Sequence, residues 1–396
     1  MRLAFGAAAL LAALALASCE RRESEPARTA AAAPQVRTLG PWLASEAAAD
    51  RFSGAVLVAR GDEVLFRGAY GLADRGTGEP LTPESRFRIA SLSKQFTAAA
   101  VLQLQDKGVL SVDDPVCRWI EPCPEAWRAV TLHHLLSHTS GVPDLMRRRD
   151  WSKVRWAKQS TAEMTAASAA LPLEFQPGER IGYSNVGYNL LGHVVERAAA
   201  RPFAEHLRLT LLEPLGLKDT GWDDGSRLLA TGYSAGAEGL IPRRESGADV
   251  VFASGALYST VDDLFRWNRA LHRGRVLSAK SYAQMTAAAA PERYVTRERL
   301  GVPQTFGYGV FIGPRGMRMT PGFPERQVFH TGSWSGFRAL ATYQPDADVT
   351  VVVLSNNYEQ EREVLLVAQR AMAEALGRPL PVGLAPAPPI PEGPAR

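Results

Sequence analysis

The sequence is poor in cysteine and has no block of like charge. It contains three cysteines among 396 residues, and its 45 basic side chains face 41 acidic ones without a run of five like charges. This balance gives no support to nucleic-acid binding. A hydrophobic content of 46% and a charged content of 22% are ordinary for a soluble globular enzyme. The length allows two or three domains, or one domain with an insertion.

The sequence also lacks a long apolar stretch at its N-terminus, where the run from Leu3 to Ala17 is too short for a permanent membrane-spanning helix. The run ends in Leu16-Ala17-Ser18-Cys19, which is similar to a bacterial lipobox. We predict a lipoprotein signal peptide over residues 1–19, with Cys19 lipidated and holding the protein to a membrane through several acyl chains. Glutamate after the cysteine implies the periplasmic face of the outer membrane in Gram-negative bacteria. An ordinary cleaved signal peptide is the alternative.

The other two cysteines, Cys117 and Cys123, enclose a five-residue loop. If Cys19 is acylated, they form an even pair in an oxidising compartment and can close as a disulfide. A metal site is a poor interpretation, because the chain has no further cysteine and the next histidine is His133. We expect no metal and no cofactor.

Both ends of the chain differ in composition from the central region, which we predict to be one domain. Residues 20–45 are rich in Glu, Arg, Ala and Pro, which predicts a flexible tether. Residues 378–396 are rich in proline, which predicts an extended, undocked tail. The predicted domain covers residues 46–377.

Strand patterns lie at both ends of this domain and helix patterns in its middle. Predicted strands are 54–60 and 63–70, joined by a turn at Gly61-Asp62, and then 306–312, 326–332, 337–344 and 349–355. Predicted helices are 91–107, 186–199, 262–271 and 361–376. The pattern predicts an α/β protein of the α+β type: one antiparallel sheet built from both chain ends and flanked by helices, with a mostly helical region, about 83–300, inserted.

Three short motifs carry candidate chemistry. Ser91-Leu92-Ser93-Lys94 places a serine and a lysine on one helical face, and a nucleophilic serine needs such a neighbouring base. Tyr183 offers a second titratable group, and Asn185 an amide to orient it. A strand with His330-Thr331-Gly332 can form the opposite wall of a cleft. The alternatives are a helix N-cap for Ser91 and a packed core aromatic for Tyr183.

Two other patterns compete with these motifs. Gly232–Gly236 matches the Gly-x-Ser-x-Gly elbow of α/β hydrolases, which needs a strand before Ser234 and a helix after it. The residues that follow are typical of a loop, so we favour Ser91. His134 and His138 have a spacing that metal ligands use, but no His-Glu-x-x-His arrangement is present, and we predict structural roles.

The segment Phe87–Thr97 resembles the nucleophile segment of serine β-lactamase-like proteins, in particular class C β-lactamases and related DD-peptidases, D-aminopeptidases and esterases. The resemblance covers about residues 50–375 and includes four further stretches: Leu135–Gly141, Pro177–Glu179, Glu213–Leu217 and Ser254–Thr260. It implies the same α+β architecture, with the site at the boundary between the sheet and the helical region.

The resemblance also implies roles for the motif residues. Ser91 would be the nucleophile, with Lys94 or Tyr183 as the base, and the charge of Lys94 would favour the phenolate of Tyr183. The backbone N–H groups of Ser91 and Ser333 would bind the oxyanion. The remaining predicted substrate-binding residues are Asn185, His330 and Gly332.

His330 departs from the lysine that β-lactamases and DD-peptidases usually have. Many esterases and D-aminopeptidases of the fold have histidine there, and a neutral imidazole binds a substrate carboxylate less well than an ammonium. This argues against strong β-lactamase activity. Arg338 on the next strand is another source of charge, although a solvated arginine at the strand edge is the simpler interpretation.

We therefore predict a serine hydrolase that forms an acyl-enzyme on Ser91. Its substrates would be small esters or amides, β-lactams or peptidoglycan-derived peptides. The alternative is a catalytically weak or inactive sensor or scaffold of the penicillin-binding type that keeps the fold.

Overall fold

Strands from the two ends of the chain lie side by side in one antiparallel sheet. Gly54–Arg60 pairs with Glu63–Tyr70 on one side and with Val349–Ser355 on the other. This pairing confirms the predicted sheet. The computed structural model describes residues 36–147, 160–225, 229–243, 248–288, 305–313, 323 and 325–380. The predicted lipidation site Cys19 and residues 381–396 of the tail lie outside these ranges.

The strands fall into one large sheet and three small ones. In chain order they are β1 (Gly54–Arg60), β2 (Glu63–Tyr70), β3 (Leu72–Asp74), β4 (Glu79–Pro80), β5 (Phe87–Arg88), β6 (Gly221–Trp222), β7 (Gly232–Gly236), β8 (Gly239–Arg243), β9 (Leu257–Ser259), β10 (Thr305–Phe306), β11 (Phe311–Gly313), β12 (Gln327–Trp334), β13 (Phe337–Gln344) and β14 (Val349–Ser355). The large sheet has the order β10-β11-β12-β13-β14-β1-β2, and the small ones are β3-β4, β5-β9-β6 and β7-β8.

The helices lie on both faces of the large sheet. In chain order they are α1 (Leu39–Ala48), α2 (Ser93–Asp106), α3 (Leu132–Leu136), α4 (Thr161–Ala169), α5 (Asn185–Ala199), α6 (Phe203–Leu207), α7 (Ala248–Gly255), α8 (Val261–His272), α9 (Ala279–Met285) and α10 (Glu361–Leu376). No helix in the described ranges is long and apolar enough to cross a membrane.

Strand β1 shows how the sheet separates two apolar layers. Its side chains alternate between the faces, so Ala55 and Leu57 join the core beneath the helical region, while Val56 and Val58 pack with α1 and α10. Both faces are therefore covered, which explains why the strand is apolar throughout rather than amphipathic.

The predicted tether is wrong from residue 39 onwards. Leu39 and Leu43 of α1 are fully buried against the sheet, and the carboxylate of Glu374 in α10 accepts hydrogen bonds from the N–H groups of Thr38 and Leu39. Two leucines four residues apart form the buried stripe of a short helix, which the Ala- and Glu-rich composition conceals.

Three further predictions need correction. The strand 306–312 is two short strands, β10 and β11, because Gly309 turns the chain with a φ of 67°. The helix expected from Ser91 begins at Ser93, after a 3-10 turn over Ala90–Leu92. The residues after Ser234 form the strand β8 rather than a loop, and β8 pairs with β7 in a hairpin. The hairpin places a second strand after Ser234, where a nucleophile elbow requires a helix.

The structure joins Cys117 and Cys123 in a disulfide. His134, one of the two histidines with metal-like spacing, belongs to the capping box at the start of α3, where its Nδ1 accepts a hydrogen bond from the N–H of Thr131.

Candidate active site

Ser91 lies in the 3-10 turn between β5 and α2, in a tightly held piece of backbone. Ala90 has a φ of 48°, a left-handed conformation that costs a non-glycine residue about 1 kcal/mol or more. The turn abuts β12 at Gly332, where an added Cβ would lie 2.1 Å from the carbonyl oxygen of Ile89. Glycine at position 332 therefore allows β12 to approach the turn that carries Ser91.

Lys94 lies one helical turn after Ser91 and is fully buried. Its Nζ is 3.0 Å from the Oγ of Ser91. The same Nζ donates to Oδ1 of Asn185 and to the carbonyl oxygen of Ser254, each at 2.8 Å. The three N–H bonds of an ammonium thus have three acceptors, and these fix Nζ beside the serine.

Burial lowers the pKa of Lys94 to about 7, because the charged form loses its hydration, while the negative charge of Asp144 opposes the shift. A large fraction of the side chain is therefore neutral near pH 7. The neutral amine has a lone pair that can accept the Ser91 proton.

Tyr183 contacts Ser91 from another side. Its hydroxyl donates to the Oγ of Ser91 over 2.9 Å, and its ring packs 4.3 Å from that of His138. Burial raises the pKa of Tyr183 above its ordinary value of 10. The sequence predicts that the charge of Lys94 favours the phenolate, whereas burial and the negative charge of Asp144 favour the phenol. Tyr183 is a neutral phenol in the resting site.

Asn185 is the first residue of α5, which begins here because the Ser184 hydroxyl caps it by accepting from the N–H of Gly187. The sequence predicts that the Asn185 amide orients Tyr183. The structure instead places its Oδ1 against Lys94 and its Nδ2 against Asp144.

His330 in β12 is 2% exposed. Its Nδ1 lies 2.6 Å from the carbonyl oxygen of Thr331, so Nδ1 carries the proton and Nε2 presents a lone pair. Nε2 is buried and has no hydrogen-bond partner within the described residues. Burial, reinforced by the charge of Lys94, lowers the pKa of His330 to about 3. The imidazole is therefore neutral at physiological pH.

Arg338 is held in place rather than solvated. Its guanidinium donates to Oγ of Ser333 over 2.7 Å and to the carbonyl oxygen of Tyr358 over 2.6 Å. It stacks on the Tyr358 ring and lies 3.3 Å from the carboxylate of Glu361, which offsets its charge. The interpretation as a solvated strand-edge arginine is wrong, because three partners surround it.

Ser91 opens into a cavity of about 380 Å³. Four of the other predicted site residues line it, namely Tyr183, Asn185, His330 and Ser333. No Lys, Arg, Asp or Glu is found among its described lining residues, and Ser234 is not one of them. Its apolar and aromatic lining includes Met146, Val251, Phe311, Trp334 and Tyr358. The described lining of the cleft is thus uncharged, and the hydroxyl of Ser91 lies in it within hydrogen-bond distance of Lys94 and Tyr183. A larger cavity, of about 880 Å³, lies beside the disulfide and contains none of the predicted catalytic residues.

Two further residues support the site: His138, for which the sequence predicts only a structural role, and Asp144, which the sequence does not single out. His138 accepts from the N–H of Ser184 at its Nδ1 and from the N–H of Gly182 at its carbonyl oxygen, and Asp144 accepts from Asn185. Both residues contact the 182–185 segment from about 40 positions away. No periodicity links residues at that separation; the family-like stretch at 135–141 includes His138, and nothing in the sequence pointed towards Asp144.

Comparison with known proteins finds relatives that match most of this chain. The family model described as Beta-lactamase matches residues 42–375. Esterase EstB of Burkholderia gladioli is 33% identical, over 81% of this chain and 90% of its own. A penicillin-binding protein of Bacillus subtilis (strain 168) is 29% identical, over 85% of this chain and 75% of its own. The octameric penicillin-binding protein homologue from Pyrococcus abyssi has a TM-score of 0.74 at 26% identity, covering 86% of this chain and 77% of its own.

These matches confirm the resemblance that the segment Phe87–Thr97 carries. The chain belongs to the beta-lactamase family, within the serine hydrolase superfamily that includes esterases, D-aminopeptidases and DD-peptidases.

Proposed function

We propose that this protein is a serine hydrolase that acts through an acyl-enzyme on Ser91 and prefers small, uncharged esters. The observation that carries the proposal is the pair of contacts to the Oγ of Ser91, from Lys94 at 3.0 Å and from Tyr183 at 2.9 Å. The uncharged lining of the cavity and the 33% identity to an esterase support the substrate class.

In the acylation step, neutral Lys94 takes the proton of Ser91 while Oγ forms a bond to the substrate carbonyl carbon. The carbonyl oxygen becomes an oxyanion, for which the backbone N–H groups of Ser91 and Ser333 are the proposed donors. As the bond to the leaving group breaks, Tyr183 donates its proton to the departing oxygen and regains one from the Lys94 ammonium. The proton of Ser91 thus leaves, in net terms, with the alcohol.

Deacylation follows the same order of steps as acylation, with water as the nucleophile. Lys94 takes one proton from the water as its oxygen bonds to the acyl carbon, and the bond from that carbon to Oγ breaks. Oγ regains a proton through Tyr183, and the acid product is released. Lys94 is the favoured base because burial lowers its pKa to about 7 and raises that of Tyr183.

This assignment predicts the pH dependence of activity. Below its pKa of about 7, Lys94 is an ammonium and cannot accept the Ser91 proton. We expect kcat/KM for p-nitrophenyl butyrate to rise with pH through about 7 and then to level off. The measurement is a profile from about pH 5.5 to about pH 9, corrected with Ser91→Ala at each pH. A flat profile between about pH 5.5 and pH 8 would exclude Lys94 as the base.

The neutral state of His330 predicts substrate choice. Because neutral His330 offers no cation to a substrate carboxylate, carboxylate-bearing nitrocefin should have a lower kcat/KM than p-nitrophenyl butyrate. The ratio of kcat/KM for nitrocefin to kcat/KM for p-nitrophenyl butyrate should not rise as pH falls from about 7.5 to about 5.5. The reason is that His330, with a pKa of about 3, gains no charge in this range. His330→Lys should shift the ratio towards nitrocefin by about 1 kcal/mol, provided that the longer side chain brings its charge into the cavity.

Both ratios are measured from initial rates in the same buffers, so the titration of Lys94 affects the two substrates alike and cancels. His330→Gln is the matched control, since it changes the side chain without adding a cation. A wild-type enzyme that strongly prefers nitrocefin would contradict the proposal and would make Arg338 the first candidate for the missing charge.

A further inference from the structure

Asp144 is a buried carboxylate beside the site that no step above uses. It is 4% exposed and lies in the segment that follows α3. Its Oδ2 accepts from the backbone N–H of Asn185 at 3.2 Å and from Nδ2 of Asn185 at 2.9 Å. Its Oδ1 accepts from the N–H of Met146 at 3.1 Å. All three contacts use the side chain as an acceptor, which suits the ionised form.

These contacts determine which end of the Asn185 amide faces Lys94. Because Nδ2 is bound to Asp144, Oδ1 must point the other way, towards the Nζ of Lys94 at 2.8 Å. An amide turned by 180° would present its NH₂ group to the ammonium and remove one of the three acceptors that fix Nζ.

We propose that Asp144 is a positioning residue for acyl transfer, which orients the Asn185 amide, thereby holds Lys94 beside Ser91, and supplies a buried negative charge to the lysine. The inference rests on the proposed function and adds a residue to its machinery.

The charges around Lys94 support the electrostatic half of the proposal. His138 and His330 also face Lys94, but burial lowers the pKa of both imidazoles, so neither carries charge at neutral pH. The rings of Tyr183 and Tyr188 lie 4.9 Å and 5.5 Å from Nζ. Burial raises the pKa of both phenols, so they are neutral as well.

Burial raises the pKa of Asp144, while its hydrogen bonds from Asn185 and Met146 and the charge of Lys94 oppose that shift. In the ionised form, which its three accepted hydrogen bonds suit, Asp144 opposes the desolvation of Lys94. Its negative charge favours the ammonium and so holds the pKa of Lys94 up. Removing that charge should lower the pKa of Lys94 further below about 7. The acid limb of the activity profile, where kcat/KM rises with pH, should then move to lower pH.

Two substitutions in the full-length protein separate charge from orientation. Asp144→Asn keeps the shape and one acceptor oxygen, so we expect the acid limb of kcat/KM to move down by about one pH unit. Asp144→Ala also frees the Asn185 amide, so we expect kcat at pH 8 to fall by about 10- to 100-fold while KM changes by less than about twofold. The readouts are the pH profile and the kcat and KM values for p-nitrophenyl butyrate.

Asp263→Asn is the matched control, because Asp263 of α8 is a fully buried carboxylate that accepts hydrogen bonds from the backbone N–H of Asp219 and the hydroxyl of Thr220. It should lower the melting temperature and leave the acid limb unmoved. If Asp144→Asn folds and its acid limb lies at the same pH as in the wild type, the charge role is overturned. If Asp144→Ala keeps the wild-type kcat, the orienting role is overturned.

If Asp144→Ala does not fold, Asp144→Asn still tests the charge role, and Asp144→Leu, which fills the space without any acceptor for Asn185, replaces Asp144→Ala as the test of orientation. Ser91→Ala, run in parallel, keeps the two proposals apart. Turnover that survives in Ser91→Ala would refute the proposed function itself, whereas loss in Ser91→Ala with unchanged Asp144 variants would refute only this inference.

Discussion

Ser91→Ala is expected to reduce ester turnover by more than about 10³-fold, and an acylating probe should form its adduct on Ser91. The physical reason is that Ser91 is the hydroxyl that both Lys94 and Tyr183 contact at the floor of the cavity. The measurement combines kcat/KM for p-nitrophenyl butyrate with mass-spectrometric mapping of a fluorophosphonate or penicillin adduct.

Ser234→Ala is the control for the competing Gly-x-Ser-x-Gly motif and should leave both the rate and the labelling unchanged. Ser234 lies in the hairpin β7-β8, outside the described lining of the cavity. An adduct on Ser234, or full activity in Ser91→Ala, would refute the assignment. A folded wild-type protein with neither turnover nor labelling would instead favour the non-catalytic sensor or scaffold.

Tyr183→Phe is expected to lower kcat by roughly 10² to 10⁴, the usual effect of removing a positioned acid–base group. The substitution deletes one oxygen, which donates to Ser91, and keeps the ring that packs on His138. Lys94→Ala should be at least as damaging, because it removes both the base and the group that returns the Tyr183 proton. Steady-state kinetics at about pH 8, where Lys94 is mostly neutral, gives the comparison.

Tyr188→Phe is a matched control for the loss of a buried hydroxyl. Tyr188 lies near Lys94, but its hydroxyl donates to the carbonyl oxygen of Leu136 at 2.7 Å. This variant should lose about 1 kcal/mol of stability and keep kcat within a few-fold of wild type. If Tyr183→Phe behaves in the same way while it stays folded, the phenol of Tyr183 only packs and the proton relay needs another donor.

Local patterns account for the parts of the fold that the sequence predicts well. The bounds of β1, β2, β13, β14 and α10 agree with the predicted ranges. The strands β1 and β14 are recognisable as short, continuous apolar runs and α10 by an apolar period of 3.6 residues, and turns such as Gly61-Asp62 mark the ends of the strands. The contact between Ser91 and Lys94 is local as well, since residues three apart in a helical turn lie on the same side.

Contacts between distant segments explain what the sequence does not predict. Asp144 and Asn185 are brought together by the packing of the segment after α3 against the start of α5, and no spacing rule covers that distance. The neutral phenol of Tyr183 depends on how completely the fold excludes water from it, which composition does not reveal. In the same way, the helix α1 is recognisable only once the sheet offers Leu39 a surface to cover.

The pairing of β1 with β14 joins residues about 300 positions apart in the chain, such as Gly54 and Ser355. Closing so large a loop is entropically costly, and it cannot occur during synthesis until β14 has left the ribosome. A nascent chain that stops before residue 327 already contains Ser91, Lys94 and Tyr183. It lacks β12, the strand that supplies His330 and Ser333 to the cavity. Ser91 is therefore synthesised well before the strand that completes its cleft, and the cleft can close only after β12 has emerged.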